Sequence, residues 1–105
     1  MTDFTNKLKL PSTGKKDDQG KNRLDLINPK FIEGVGEVLT YGASKYSADN
    51  WQNVDDAENR YYAATLRHLL AWRTGEKLDE ESGLSHLKHV ATNIMFLMYF
   101  EQEAK

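Results

Sequence analysis

Hydrophobic and polar positions divide the chain into a polar opening and three segments with helical periodicity. Residues 1–27 are polar and charged, broken by Pro11, Gly14 and Gly20, and show little periodicity. They read as an arm or loop that takes its order from contact with the rest of the chain. From Pro29 onward, Phe31, Ile32, Val35, Val38 and Leu39 fall on one arc at the helical spacing of about 3.6 residues. Asn28 is suited to cap this helix and Pro29 to its first position, with Gly42 as the expected stop. The connector SKYSADNWQN follows, and Asp55 or Asp56 starts a second helix from about Ala57 to Thr74. Its inward stripe is Tyr62, Thr65, Leu66, Leu69 and Trp72, and Gly75 ends it. A third helix starts near Asp79 or Ser82 and runs towards Glu103, with Leu84, Leu87, Val90, Ala91, Ile94, Met95 and Met98 as a broad apolar arc. No segment alternates well enough for a strand.

The predicted fold is therefore all-α: a bundle of three to four helices, with 28–105 as a single helical domain behind the 1–27 arm. Three helices make a thin core. The pattern thus predicts that partner chains, a homo-oligomer such as a dimer or tetramer, bury further apolar surface.

Composition narrows the class. At 105 residues the chain can bury one modest core, and 39% hydrophobic and 29% charged residues argue against wholesale disorder. A net charge of -2 argues against a partner that is a nucleic acid polymer or an anionic membrane, although Lys15, Lys16, Lys21 and Arg23 make the arm locally basic. No apolar run reaches the roughly 18 residues of a membrane span, and no signal-peptide pattern is present, so the expectation is a soluble, cytoplasmic protein. There is no cysteine, so any bound metal must use oxygen and imidazole ligands.

Four groups of residues could carry chemistry. Ser82, His86, His89 and Asn93 form one polar stripe on the third helix, beside the apolar arc, while Ser85, Lys88, Thr92 and Tyr99 would take the solvated face. The stripe fits either boundary residues hydrogen-bonded to neighbouring helices or the wall of a site. Glu33 and Glu37 stand four apart on the first helix, where like charges repel by about 0.2–0.5 kcal/mol unless a cation intervenes. Gly34 and Gly36 flank them and permit close approach of another backbone or a ligand. On periodicity alone both glutamates lie opposite the apolar arc, as exposed residues would. Between the second and third helices, Glu76, Asp79, Glu80 and Glu81 put four carboxylates in six residues. Helix capping accounts for some of them, and Mg2+ or Mn2+ also favours such hard oxygen donors. The fourth group is dispersed: Lys21, Arg23 and Lys45 as loop cations able to neutralise phosphates, Arg67 and His68 on the second helix, and Asn50 and Trp51 able to hold a base. Each is equally well read as a surface cation, a satisfied core histidine or a packed tryptophan. No glycine-rich phosphate loop and no Ser-His-Asp signature is present.

Taken in order, GKNRLDLINP, LTYGASKYSADNW and LRHLLAWRTGEKLDEESGLSHLKHVATNIMFL resemble the dATP/dGTP diphosphohydrolase family of phages and bacteria, related to the MazG-like all-α nucleotide pyrophosphohydrolases. The resemblance covers roughly residues 15–98. It implies an oligomeric helical enzyme that hydrolyses purine deoxynucleoside triphosphates to the monophosphate and pyrophosphate with Mg2+ or Mn2+. It also implies metal ligands at Glu33, Glu37, Asp79, Glu81, His89 and Asn93, and catalytic roles for Glu37 and His86. Lys21, Arg23, Lys45, Asn50, Trp51, Arg67 and His68 would contact the nucleotide. One departure stands out. The MazG-like superfamily pairs E-x-x-E with E-x-x-D on helices, whereas here Glu33 and Glu37 are one residue further apart and the literal E-x-x-D, Glu76 to Asp79, falls at a turn. Two readings without catalysis stay open: a nucleotide-binding or nucleotide-sequestering module, and a structural helical oligomer whose polar stripe sets specificity.

Overall fold

The computed structural model describes residues 14–103. Part of the expected arm, residues 1–13 with Pro11, lies outside the described residues. Residues 14–28 are exposed and carry one 3-10 turn, Leu24–Leu26. Three helices follow: α1 (Pro29–Lys45), α2 (Ala57–Arg73) and α3 (His86–Glu103), with a second 3-10 turn, Asn50–Asn53, between α1 and α2. Among the described residues there is no strand, only an isolated antiparallel bridge between Leu78 and Ser85. The all-α expectation holds.

Local chemistry explains the boundaries. The Asn28 side chain accepts a hydrogen bond from the Lys30 backbone N–H at 2.9 Å, and Pro29 needs no donor at the first position. Gly42 does not end α1 as expected; the helix continues for three residues to Lys45, and the Tyr46 N–H closes it on the Gly42 carbonyl. α2 starts after Asp56, which holds a left-handed backbone (φ 52°) while its carboxylate accepts from Asn59 Nδ2 at 3.0 Å. It stops at Thr74, followed by Gly75 at φ 109°.

The third helix is the main correction. It begins at His86 rather than at Asp79 or Ser82, because residues 77–86 close into a loop of their own. The Asp79 N–H donates to the Leu84 carbonyl and the Gly83 N–H to the Asp79 carbonyl, both at 2.8 Å, with Gly83 at φ 75°. Ser85 then accepts the Leu87 N–H at 3.1 Å and launches α3.

α3 is the spine, packing along α2 and, less extensively, against α1. Gly34 is buried where α1 crosses α3, and a Cβ there would stand 3.1 Å from Lys88 Cγ. The glycine therefore admits a lysine stem, not a ligand. The 3-10 turn is pinned to α3 by aromatic contacts: Trp51 stacks on Phe96 with centroids 4.5 Å apart, and the Tyr61 hydroxyl donates to the Trp51 carbonyl at 3.1 Å.

Burial follows the expected faces only in part: Thr65, His86 and Asn93 are buried, but other positions depart from them. Thr92, assigned to the solvated face, is fully buried, and Ser85, Lys88 and Tyr99 are half-buried. From the inward stripes, Tyr62, Leu66, Leu69, Leu87, Ile94 and Met98 are exposed. Among the described residues, Ala57 and Phe96 are the buried apolar side chains, while Thr65, His86, Thr92 and Asn93 are buried polar ones. The packing has set α3 with its polar side inward. No described helix is long and apolar enough to cross a membrane.

Candidate functional site

The end of α1, the 3-10 turn, the inner sides of α2 and α3 and the acidic loop enclose a cavity of about 250 Å³. That is just below the roughly 300–1,000 Å³ typical of ligand sites. One wall is aromatic and cationic, with Tyr41, Lys45, Tyr46 and Trp51; the other carries His68, Asp79, His89 and Asn93. Nothing in sequence spacing brings these together. The loop over 77–86 does so, by folding Asp79 back between α2 and α3.

The four carboxylates of that loop divide their labour. Asp79 points inward: one oxygen accepts the Ser82 N–H at 2.9 Å, and its two oxygens stand 4.0 Å from His68 Nδ1 and from His89 Nε2. Burial pushes the Asp79 carboxyl up, yet the Ser82 hydrogen bonds and the two imidazoles outweigh it and hold the group below its ordinary value. Glu81 pairs with Lys45 at the cavity rim, which raises the ammonium and lowers the carboxyl from their usual ranges. Lys45 Nζ also lies 5.4 Å and 5.3 Å from the ring centroids of Tyr41 and Tyr46. Glu76 reaches back to His86, its Oε2 2.8 Å from Nε2. Glu80 is exposed.

The histidines form one cluster. His68 stacks on His89 with centroids 4.4 Å apart and planes 7° from parallel, and its Nδ1 lies 2.8 Å from His86 Nδ1. His86 is only 3% exposed. His89 Nε2 meets Ser82 Oγ at 2.7 Å, so Ser82 joins the stripe's chemistry from the loop instead of from the helix. Burial lowers both His68 and His89 below the ordinary imidazole value, leaving them neutral at neutral pH. One donor atom each from His68, Asp79 and His86 lies within 4.8 Å of the other two, a group able to hold a metal ion.

The remaining expected residues fall elsewhere. Glu33 is exposed on α1, and Glu37 is ion-paired with Lys88 at 2.6 Å; neither lines the cavity. His86 sits behind the wall, touching the cavity only through His68. Lys21 is exposed, and Arg23 is engaged by Asp25 in a two-pronged pair at 2.9 and 2.8 Å. Asn50 and Trp51 line the cavity, although Trp51 gives one face to Phe96. Arg67 lies in an adjoining open depression with Arg60, Asn59 and Asp56, which shares Tyr46, Asn50 and Tyr61 with the cavity. Sequence reasoning counted Glu76 only among the clustered carboxylates and missed Tyr41, Tyr46 and Arg60. The seven-residue spacing from Arg60 to Arg67, two helical turns, was the available signal for the last of these.

Comparison with known proteins gives this arrangement a context. A relative from Salmonella phage PMBT28, named dATP/dGTP diphosphohydrolase, is 41% identical over 87 residues, covering 83% of this chain and 29% of the relative. The chain thus spans less than a third of the length of that relative. No solved structure matches. The family model described as "dATP/dGTP diphosphohydrolase, N-terminal" matches residues 11–105, almost the whole sequence and every element that builds the cavity, and the chain belongs to that family.

Proposed function

We propose that this chain binds a purine deoxynucleoside triphosphate in the cavity and hydrolyses it to the monophosphate and pyrophosphate, with Mg2+ or Mn2+ as cofactor. The observation that carries the reading is a single cavity in which a neutral imidazole pair and an ionised Asp79 face Lys45 and an aromatic wall. The name of the phage relative supports the substrate class. Asn50 and Trp51 would hold the base, and Lys45 would exchange Glu81 for a phosphate oxygen. Arg60 and Arg67, in the adjoining depression, would take the far end of the triphosphate. His89, unlike His86 or Glu37, lines the cavity and is kept neutral by burial, so it is the ring suited to accept a proton from the attacking water. Water oxygen bonds to the α-phosphorus, the α–β bridging bond breaks, and pyrophosphate leaves. The donor set of imidazole and carboxylate fits a divalent cation beside Asp79, and such a cation supplies positive charge to the phosphates as negative charge develops. Incubating the purified chain with dATP or dGTP and Mn2+ tests the reading: stoichiometric pyrophosphate is expected, and its absence for every nucleotide sinks hydrolysis.

One observation favours a second reading, a nucleotide-binding module without hydrolysis of its own. Glu33 and Glu37, the acidic pair expected to serve the metal, stand outside the cavity, and Glu37 is tied to Lys88. Calorimetry with dATP separates the two, since tight binding without turnover supports the module. Either activity suits a cytoplasmic setting, where deoxynucleotides are made and used.

We further propose a homo-oligomer. Phe31, Ile32, Val35, Ala91, Ile94 and Met98 line a groove between α1 and α3 with almost no polar surface. A second copy presenting the same groove would supply the core that three helices lack.

A further inference from the structure

The cluster behind the cavity wall holds more chemistry than nucleotide contact requires. Ligand atoms arrive from three separate elements: His68 from α2, Asp79 from the loop, His86 from the first position of α3. Glu76 decides the tautomer of His86. Its carboxylate accepts the Nε2–H at 2.8 Å, which leaves the Nδ1 lone pair free and aimed at His68. Two Nδ1 atoms 2.8 Å apart share one proton when no ion is present. Asp79 Oδ1, at 4.0 Å from His68 Nδ1, is out of hydrogen-bond reach of it. An ion bonded at about 2.0–2.2 Å to each donor spans separations up to roughly 4 Å, so the gap that is too wide for a hydrogen bond suits a metal. His89 is held aside by Ser82, which engages its Nε2 at 2.7 Å.

We infer that His68 Nδ1, His86 Nδ1 and Asp79 form a site for one borderline transition-metal ion, selected over Mg2+, with Glu76 as the residue that positions His86. Two imidazoles and one carboxylate are ligands for Mn2+, Co2+ or Zn2+, whereas Mg2+ takes oxygen and water and gains little from buried nitrogen. The Glu76–His86 pair is the carboxylate–histidine arrangement that fixes ring orientation and raises ligand basicity. The inference deepens the proposed metal-assisted reading and rests on it for the ion's use, while ion binding itself needs no nucleotide.

Titrating the metal-free 105-residue chain with Co2+ tests this by visible absorption and calorimetry. The expected result is one Co2+ per chain with a ligand-field spectrum of nitrogen and oxygen donors, and a 100-fold excess of Mg2+ that fails to displace it. His68→Ala and His86→Gln should each abolish the spectrum. Glu76 is exposed, so Glu76→Gln should keep the fold and the spectrum's shape while weakening Co2+ by about 10–100-fold. Circular dichroism of each variant identifies any that fail to fold, and Glu76→Gln then carries the test. No Co2+ binding, equal binding in wild type and His68→Ala, or an unchanged affinity in Glu76→Gln would overturn the site. A chain that binds Co2+ as described yet releases no pyrophosphate would overturn hydrolysis and leave the site standing.

Discussion

The two sides of α3 follow opposite rules. The helix buries His86, Thr92 and Asn93, while along the groove it shares with α1 it leaves Ile94 and Met98 at 43% and 56% exposure. Burying polar groups costs free energy unless each is partnered, and here none of the described buried side-chain polar atoms lacks a hydrogen bond. Thr92 bonds back to the Lys88 carbonyl at 2.8 Å, and the histidines bond to Glu76, Ser82 and one another. α3 thus turns buried polar side chains inward and leaves part of its apolar surface exposed. A second copy seated on that apolar surface, as proposed above, would add the hydrophobic burial that the single chain leaves unused.

The sharpest way to break this contrast is on the polar side. Asp79→Asn keeps the side chain's shape but removes the charge that faces the two imidazoles. If the polar interior is a site, pyrophosphate release from dATP should fall at least about 100-fold, more than loss of a residue that merely orients a ligand would cost. Unaltered turnover in the folded variant would return the stripe to a structural role.

The apolar side is tested next. Light scattering should give a dimer or tetramer for the wild type, and Ile94→Glu with Met98→Glu should give a single-chain mass with helical content retained. A wild type that is monomeric at all concentrations would leave this face without the partner argued for it.

A smaller effect separates the sides by pH. Burial holds His68 and His89 below the ordinary imidazole value of about 6.5, so the unfolded chain takes up protons at higher pH than the folded one. Stability of the metal-free protein should be full above about pH 6.5 and should decline as pH falls towards the lower folded-state values. Asp79, also lowered, extends the loss into the acid range below its ordinary value. Melting temperatures that stay level from pH 7.5 to 5.5 would mean the cluster is solvated rather than buried.

The smallest effect concerns the α1–α3 crossing. A Cβ at Gly36 meets nothing within 4 Å, so Gly36→Ala should stabilise the monomeric double variant by about 0.5–1 kcal/mol through helix propensity. At Gly34 the added carbon stands 3.1 Å from Lys88 Cγ, and moving that stem loosens the pair with Glu37, so Gly34→Ala should gain less. Equal gains in urea denaturation would show that the crossing is loose.

Much of the fold was legible in the residues. Asn28 and Pro29 announced the start of α1, and the span of α2 between Asp56 and Gly75 was readable to within a residue or two. The misreadings share a cause. Gly42 and Ser82 are residues with strong local preferences, and local preference lost to context: α1 gained three more residues, and Ser82 was drawn into a loop closed by backbone bonds between Asp79, Gly83 and Leu84. Part of the candidate site was likewise visible, since His68, His89, Asn93, Asp79, Lys45, Asn50 and Trp51 were all singled out and all line one cavity. Glu33 and Glu37 were candidates too, and periodicity already placed them on the exposed side of α1, where they lie.

The amino-acid sequence by itself determined that the chain is helical, where two of its three helices begin, and that imidazole and carboxylate are the available metal donors. Those outcomes depend on interactions between residues a few positions apart. Only the tertiary structure decided which side of α3 faces inward, that Asp79 swings between two histidines, and that Glu76 fixes the proton on a third. Each of those depends on atoms from separate elements meeting within a few ångströms. Periodicity ranks the faces of a helix by polarity, but packing and the closure of one loop choose which face is used.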